Sequence, residues 1–114
     1  MVNTTYTRAM YEATHHYMQP ATEYQQLTGN GTVDLDKLHC RLNAAAGAYS
    51  VALPNGNEEH EEQWILFVGT GGTFNVSGTF RGFTSLQLEV LADSALLKWI
   101  AGKWTFVAGT ARQL

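Results

Sequence analysis

A chain of 114 residues with a formal charge of -3 holds one domain, or one domain and an arm, and is long enough to bury about 65% of its unfolded surface. Its few lysines and arginines are scattered, which excludes the basic patch of a general nucleic-acid binder, and no apolar run approaches the ~18 residues of a transmembrane helix. The single cysteine, Cys40, excludes an intrachain disulfide and suits a reducing compartment, and "MVNTTYTRAM" lacks the apolar core of a signal peptide, so a cytosolic product starting at its natural Met1 is expected.

The chain begins with a segment unlike the rest. All three methionines and four of the five tyrosines lie in the first 24 residues, whereas every glycine comes at Gly29 or later and every Phe and Trp at Trp64 or later. The turn-rich "LTGNG", Leu27 to Gly31, marks the boundary and divides the chain into an arm, 1–28, and a β domain, 29–114. Tyr6, Met10, Ala13 and Tyr17 share one helical face, and Pro20 would end a helix by Met18 or Gln19. Thr4, Thr5, Thr7, Thr14 and the His15-His16 pair are poor helix formers, so the arm is expected to be extended or partly helical. Stretched out, it reaches on the order of 90 Å at ~3.3 Å per residue. Tyrosine and methionine bring adaptable contact area with a polar tip. Tyr6, Met10, Tyr11, Tyr17, Met18 and Tyr24 are therefore the expected partner-binding residues of a docking arm.

The β domain reads as short strands between turns. "GTVDL" alternates Val33 and Leu35, and "KLHCRLN" places Leu38, Cys40 and Leu42 on one face. His39 and Cys40, as adjacent strand residues, point to opposite faces and form no nucleophile pair; Cys40 reads as a small core residue. "NAAAGA", Asn43 to Ala48, reads as a loop or a helical turn. "YSVAL" alternates Tyr49, Val51 and Leu53, and Pro54-Asn55-Gly56 is a turn. "NEEHEEQ", Asn57 to Gln63, is the densest ionisable cluster, but its spacing fits neither an EF-hand nor HExxH, and it reads as a solvated loop.

"QWILFV" is a continuous apolar run from Trp64 to Val68, the mark of a strand covered on both faces. "GTGGT", Gly69 to Thr73, lacks the Lys-Ser/Thr of a phosphate loop and reads as a hairpin loop. "TFNVS" and "SLQLEVL" alternate next. In "SALLKWIAGKWTFVAG", Ser94 to Gly109, Ala101-Gly102 reads as a two-residue hairpin turn that pairs Ile100 with Lys103 and Trp99 with Trp104. One face then carries Leu97, Trp99, Trp104 and Phe106, and the other Leu96, Ile100 and Val107 among Lys98, Lys103 and Thr105. The two tryptophans could stack on a pyranose, as in a carbohydrate-binding module, but their aliphatic company makes them core. The fold class expected is all-β, a small antiparallel β-sandwich or barrel with an N-terminal extended or partly helical arm. No catalytic constellation, cofactor motif or metal-ligand set stands out, and no enzyme activity is expected.

The layout of the β domain resembles the small β-rich domains of tailed-bacteriophage virion proteins: capsid decoration (cement) proteins, head-fibre proteins and some tail-fibre modules. The likeness lies in the lead-in "TGNGTVDL", in "YSVALPNG" with Leu53, Pro54 and Gly56, in "NEEHEEQWILFV", and in the closing "SALLKWIAGKWTFVAG". It spans roughly residues 28–110; "EEHEE", "TFRGFTS" and the arm have no counterpart in it. The resemblance implies a homotrimer without enzymatic activity that binds the major capsid protein on the outside of a phage head and reinforces it. The location implied is the capsid exterior of a virion assembled in host cytoplasm, with neither nucleic acid nor membrane as a partner. A head-fibre or tail-fibre module contacting the host surface is the alternative within the same resemblance. The residues agree in two respects: both "QWILFV" and the closing hairpin are apolar on two faces, more than a small single domain covers by itself, and the arm is separate in composition and could bridge neighbours.

Overall fold

A computed structural model describes residues 24–114, which fold into ten strands and no helix among the described residues. The strands are β1 (Tyr24–Leu27), β2 (Gly31–Thr32), β3 (His39–Leu42), β4 (Ala48–Ala52), β5 (Glu62–Phe67), β6 (Thr73–Ser77), β7 (Ser85–Leu88), β8 (Ser94–Ile100), β9 (Lys103–Gly109) and β10 (Arg112–Gln113). They form two five-stranded sheets, one in the order β1-β3-β5-β8-β9 and the other in the order β10-β7-β6-β4-β2. The all-β class is as the alternating runs indicate. Of the six residues assigned to partner binding, Tyr6, Met10, Tyr11, Tyr17 and Met18 lie outside the described residues. Tyr24 opens β1, so the segment assigned to the arm contributes its last residues to the first sheet.

The pairing corrects the antiparallel expectation. From β1 to β6 the chain alternates between the sheets, so each strand returns beside its predecessor pointing the same way. β1, β3 and β5 pair in parallel in one sheet and β2, β4 and β6 in the other. Only the later strands, β5-β8, β8-β9, β6-β7 and β7-β10, are antiparallel. The reason lies in turns that look like hairpin loops but serve as arches from sheet to sheet. "GTGG", Gly69 to Gly72, joins β5 to β6, and "NAAAG", Asn43 to Gly47, joins β3 to β4. The two arches stack: the amides of Thr70 and Gly71 donate to the Ala44 carbonyl, and Thr73 donates to Gly47. A methyl group on Gly69 would collide with the Ala44 backbone, so the close approach of the arches requires glycine there.

The core lies between the sheets and follows strand alternation. Cys40, Leu42, Ile65, Phe67 and Leu97 face inward from one sheet, and Val51, Phe74, Val76, Leu86 and Leu88 from the other. The closing hairpin has the expected register, Trp99 opposite Trp104 and Ile100 opposite Lys103. Ala101 and Gly102 both have positive φ, 50° and 81°, the pattern of a type I′ turn. Trp104 is fully buried, donates from Nε1 to the Pro54 carbonyl at 2.8 Å and meets Trp99 edge-on at 5.2 Å. Gly56 lies against the Trp99 ring, with no room for a side chain.

The sheet edges are closed by side chains and a short crossing segment. Gln25 reaches from β1 across to the other sheet, donating to the Thr32 carbonyl and accepting from the Asp34 amide. Asn30 accepts from the Ser50 amide beside β4. At the opposite edge Trp104 donates to Thr79 and accepts from Arg81, joining the segment after β6 to β9. These partners blunt edges that would otherwise offer unpaired backbone to another chain.

Candidate interaction face

The outer faces of the two sheets differ in chemistry. On the second sheet, one cross-strand row is Ser50, Asn75 and Gln87 and the next is Ala52, Ser77 and Ser85, small and polar side chains suited to water. On the first, register puts Tyr24, His39, Trp64, Leu96 and Ala108 in one row, and Gln26, Arg41, Leu66 and Ser94 in the next. Residues opposed across strands share a face, so this surface carries a band of aromatic and aliphatic side chains.

Each member is held by local structure. The Arg41 guanidinium lies 3.9 Å from the centre of the Tyr24 ring, a cation–π contact that holds Tyr24 at the rim. The His39 ring meets Trp64 edge-on at 6.3 Å. Trp64 stays 37% exposed, and Leu66, Leu96 and Ile100 are only half-buried. A bulge beside Leu96 and Leu97 leaves Val107 without a cross-strand partner and 53% exposed. The Lys98–Glu62 ion pair, at 3.8 Å, crosses the face beyond Trp64. Between the side chains runs an open groove of about 430 Å³, lined by His39, Arg41, Trp64, Leu66 and Ser94.

The features that invite a chemical reading serve structure instead. Burial, and then the charge of Asp34, push the Cys40 thiol up to about 12, so it is an inert core group. His39 points outward from the adjacent position, as strand alternation requires. Asp34 accepts from the Asp36 amide in a local turn. The acidic stretch after Gly56 is more than a solvated loop. Glu61 accepts from the amides of Asn57 and Glu58, and both Glu59 carboxylate oxygens lie 3.1 Å from the Ala101 amide, bracing the hairpin turn. Among the described residues no three His, Cys, Asp or Glu side chains gather as metal ligands. The sugar platform weighed for Trp99 and Trp104 does not exist, because Trp104 is buried and Trp99 packs against the core.

Of the groove, the sequence signalled Trp64 and Leu66 through the two-sided apolar run "QWILFV". Arg41 carried no signal, since a single arginine between core positions reads as an ordinary solvated charge. No protein-family model matches the chain, and no curated protein matches it in sequence.

Proposed function

We propose that this protein is a structural virion component, a decoration protein that attaches as a homotrimer to the outside of a phage head, contacts the major capsid protein and stabilises the shell without catalysis. The observation that carries the reading is the contrast between the outer faces of the two sheets. The first sheet presents Trp64, Leu66, Leu96, Ile100 and Val107 outward, while the second presents serine, asparagine and glutamine. A half-exposed apolar patch around Trp64, Leu66 and Leu96, with Ile100 beyond the Lys98–Glu62 ion pair, is a surface suited to being covered by protein. Self-association with closed symmetry covers it most simply, and three copies on a symmetric lattice add weak contacts into firm attachment. The resemblance of the sequence layout to phage decoration domains suggests the setting.

The test is co-sedimentation of purified protein with undecorated heads of its own virus. Saturable binding with increased resistance of the heads to heat is expected; heads that neither bind the protein nor gain resistance contradict the reading. A carbohydrate-reading module is the second reading, favoured by Trp64 beside Arg41 and Ser94 in one groove. Glycan binding abolished by Trp64→Ala in a folded protein would establish it in place of the first.

A further inference from the structure

We propose that the Pro54-Asn55-Gly56 turn is a site of spontaneous backbone modification, at which Asn55 closes on the Gly56 nitrogen, loses ammonia and reopens as aspartate or isoaspartate. The fold directs this change to Asn55 and away from the second Asn-Gly pair, Asn30-Gly31. The inference is independent of the assembly proposed above.

The sequence holds two asparagines followed by glycine, Asn30 and Asn55. Glycine has no side chain to hinder its nitrogen from reaching the asparagine Cγ, so both pairs carry the chemistry. Their side chains do not separate them. Both are exposed, and each Oδ1 accepts one hydrogen bond, that of Asn30 from the Ser50 amide at 2.9 Å and that of Asn55 from the Thr79 hydroxyl at 3.0 Å. The difference lies in the glycine nitrogen. Gly31 opens β2 and is paired in parallel with Val51 of β4, so its peptide is fixed in the ladder. Gly56 lies in the turn outside any strand, and its amide donates to no partner among the described residues. At Asn55, solvent hydroxide takes the Gly56 amide proton and the nitrogen attacks Cγ. The new N–Cγ bond closes a five-membered imide, the Cγ–Nδ2 bond breaks, and Nδ2 leaves as ammonia with a proton from water. Water then opens the ring. Cleavage at Cγ gives aspartate, and cleavage at the main-chain carbonyl carbon gives isoaspartate, which routes the backbone through the side-chain methylene.

The position of the turn gives the second product a consequence. The Pro54 carbonyl accepts from the buried Trp104 indole, and Gly56 lies against the Trp99 ring, where even a methyl group would collide. An extra backbone carbon between these two contacts cannot preserve both, so isoaspartate loosens the closing hairpin, whereas aspartate adds only a charge.

The experiment incubates the full-length protein at mildly alkaline pH, folded and in parallel in urea, and follows both Asn-Gly pairs by peptide mass spectrometry with fragmentation that separates isoaspartate from aspartate. In the folded protein Asn55 is expected to convert roughly tenfold faster than Asn30 or more, because the Gly31 peptide must first leave the ladder. In urea, where both glycine amides are free, the two rates are expected to converge. No conversion at Asn55, or folded rates that are equal or faster at Asn30, overturns the proposal, and a difference that persists unchanged in urea overturns direction by the fold. Isoaspartyl chains separated from the mixture are expected to melt earlier, with tryptophan emission shifted to longer wavelength, while Asn55→Asp stays close to the parent. Isoaspartyl chains that melt and emit like the parent, or an Asn55→Asp protein that melts as early as they do, contradict the loosening of the hairpin by the lengthened backbone.

Discussion

Trp104 is the largest fully buried side chain among the described residues. It fills the space between the sheets, and its Nε1–H satisfies the Pro54 carbonyl. Trp104→Ala removes a buried indole and strands that carbonyl, so a loss of ~3–5 kcal/mol is expected in urea unfolding. A loss under about 1 kcal/mol would contradict this packing. Gln63 is the opposite case. It is fully buried, its Nε2 donates only at 3.3 Å to the Trp64 carbonyl, and its Oε1 has no partner among the described residues. Gln63→Met keeps the shape and removes the unpaired oxygen, and is expected to stabilise the protein by about 1 kcal/mol; a destabilised variant would show that the amide is needed. The burial of Trp104 was legible from hairpin register. That of Gln63 was not, although it shares a face with Ile65 and Phe67, because glutamine at the mouth of an acidic loop reads as solvated.

At the level of elements, strand positions were legible and strand partners were not. Alternation in "KLHCRL", "YSVAL" and "TFNVS" states which side chains are buried but says nothing about the direction of the neighbouring strand. Glycine-rich links serve hairpins and arches alike, and only the stacked arches of Ala44 and Gly69–Gly71 distinguish the two. The closing hairpin offers a direct check of local geometry. Ala101 occupies the left-handed region at φ 50°, where asparagine is better tolerated. Ala101→Asn is expected to add about 0.5–1 kcal/mol, read as a rise in Tm, while Glu59→Ala, which removes the acceptor for the Ala101 amide, is expected to cost a similar amount. The β7–β8 turn adds a pH dependence. Burial raises the Asp93 carboxyl, but bonds from the Glu89 and Val90 amides and the Thr110 hydroxyl prevail and hold it below the ordinary 3.8. A folded value below the unfolded one stabilises fully above about 3.8, and the benefit is lost as pH falls through the folded value. Asp93→Asn is therefore expected to lose less stability between about pH 5 and pH 2 than the parent; equal losses would assign the acid sensitivity elsewhere.

For the whole molecule, the consequence of this topology is an unequal pair of outer faces. Six strands coil between two sheets and leave one polar surface and one aromatic and aliphatic surface, with the chain entering at the rim of the latter. The sequence showed surplus apolar residues in "QWILFV" and the hairpin, yet only the register gathers Trp64, Leu66 and Leu96 on one side and adds Arg41 and His39 to them. In the proposed trimer this surface is an interface, so a charge placed in its middle must break the assembly and spare the fold. Trp64→Glu is expected to leave the circular dichroism of the parent and to dissociate it to single chains. The most direct measurement is the mass of the full-length parent by sedimentation equilibrium at micromolar concentration. A species of about three times 12.6 kDa is expected, and a single 12.6 kDa chain with no tendency to associate would contradict the account.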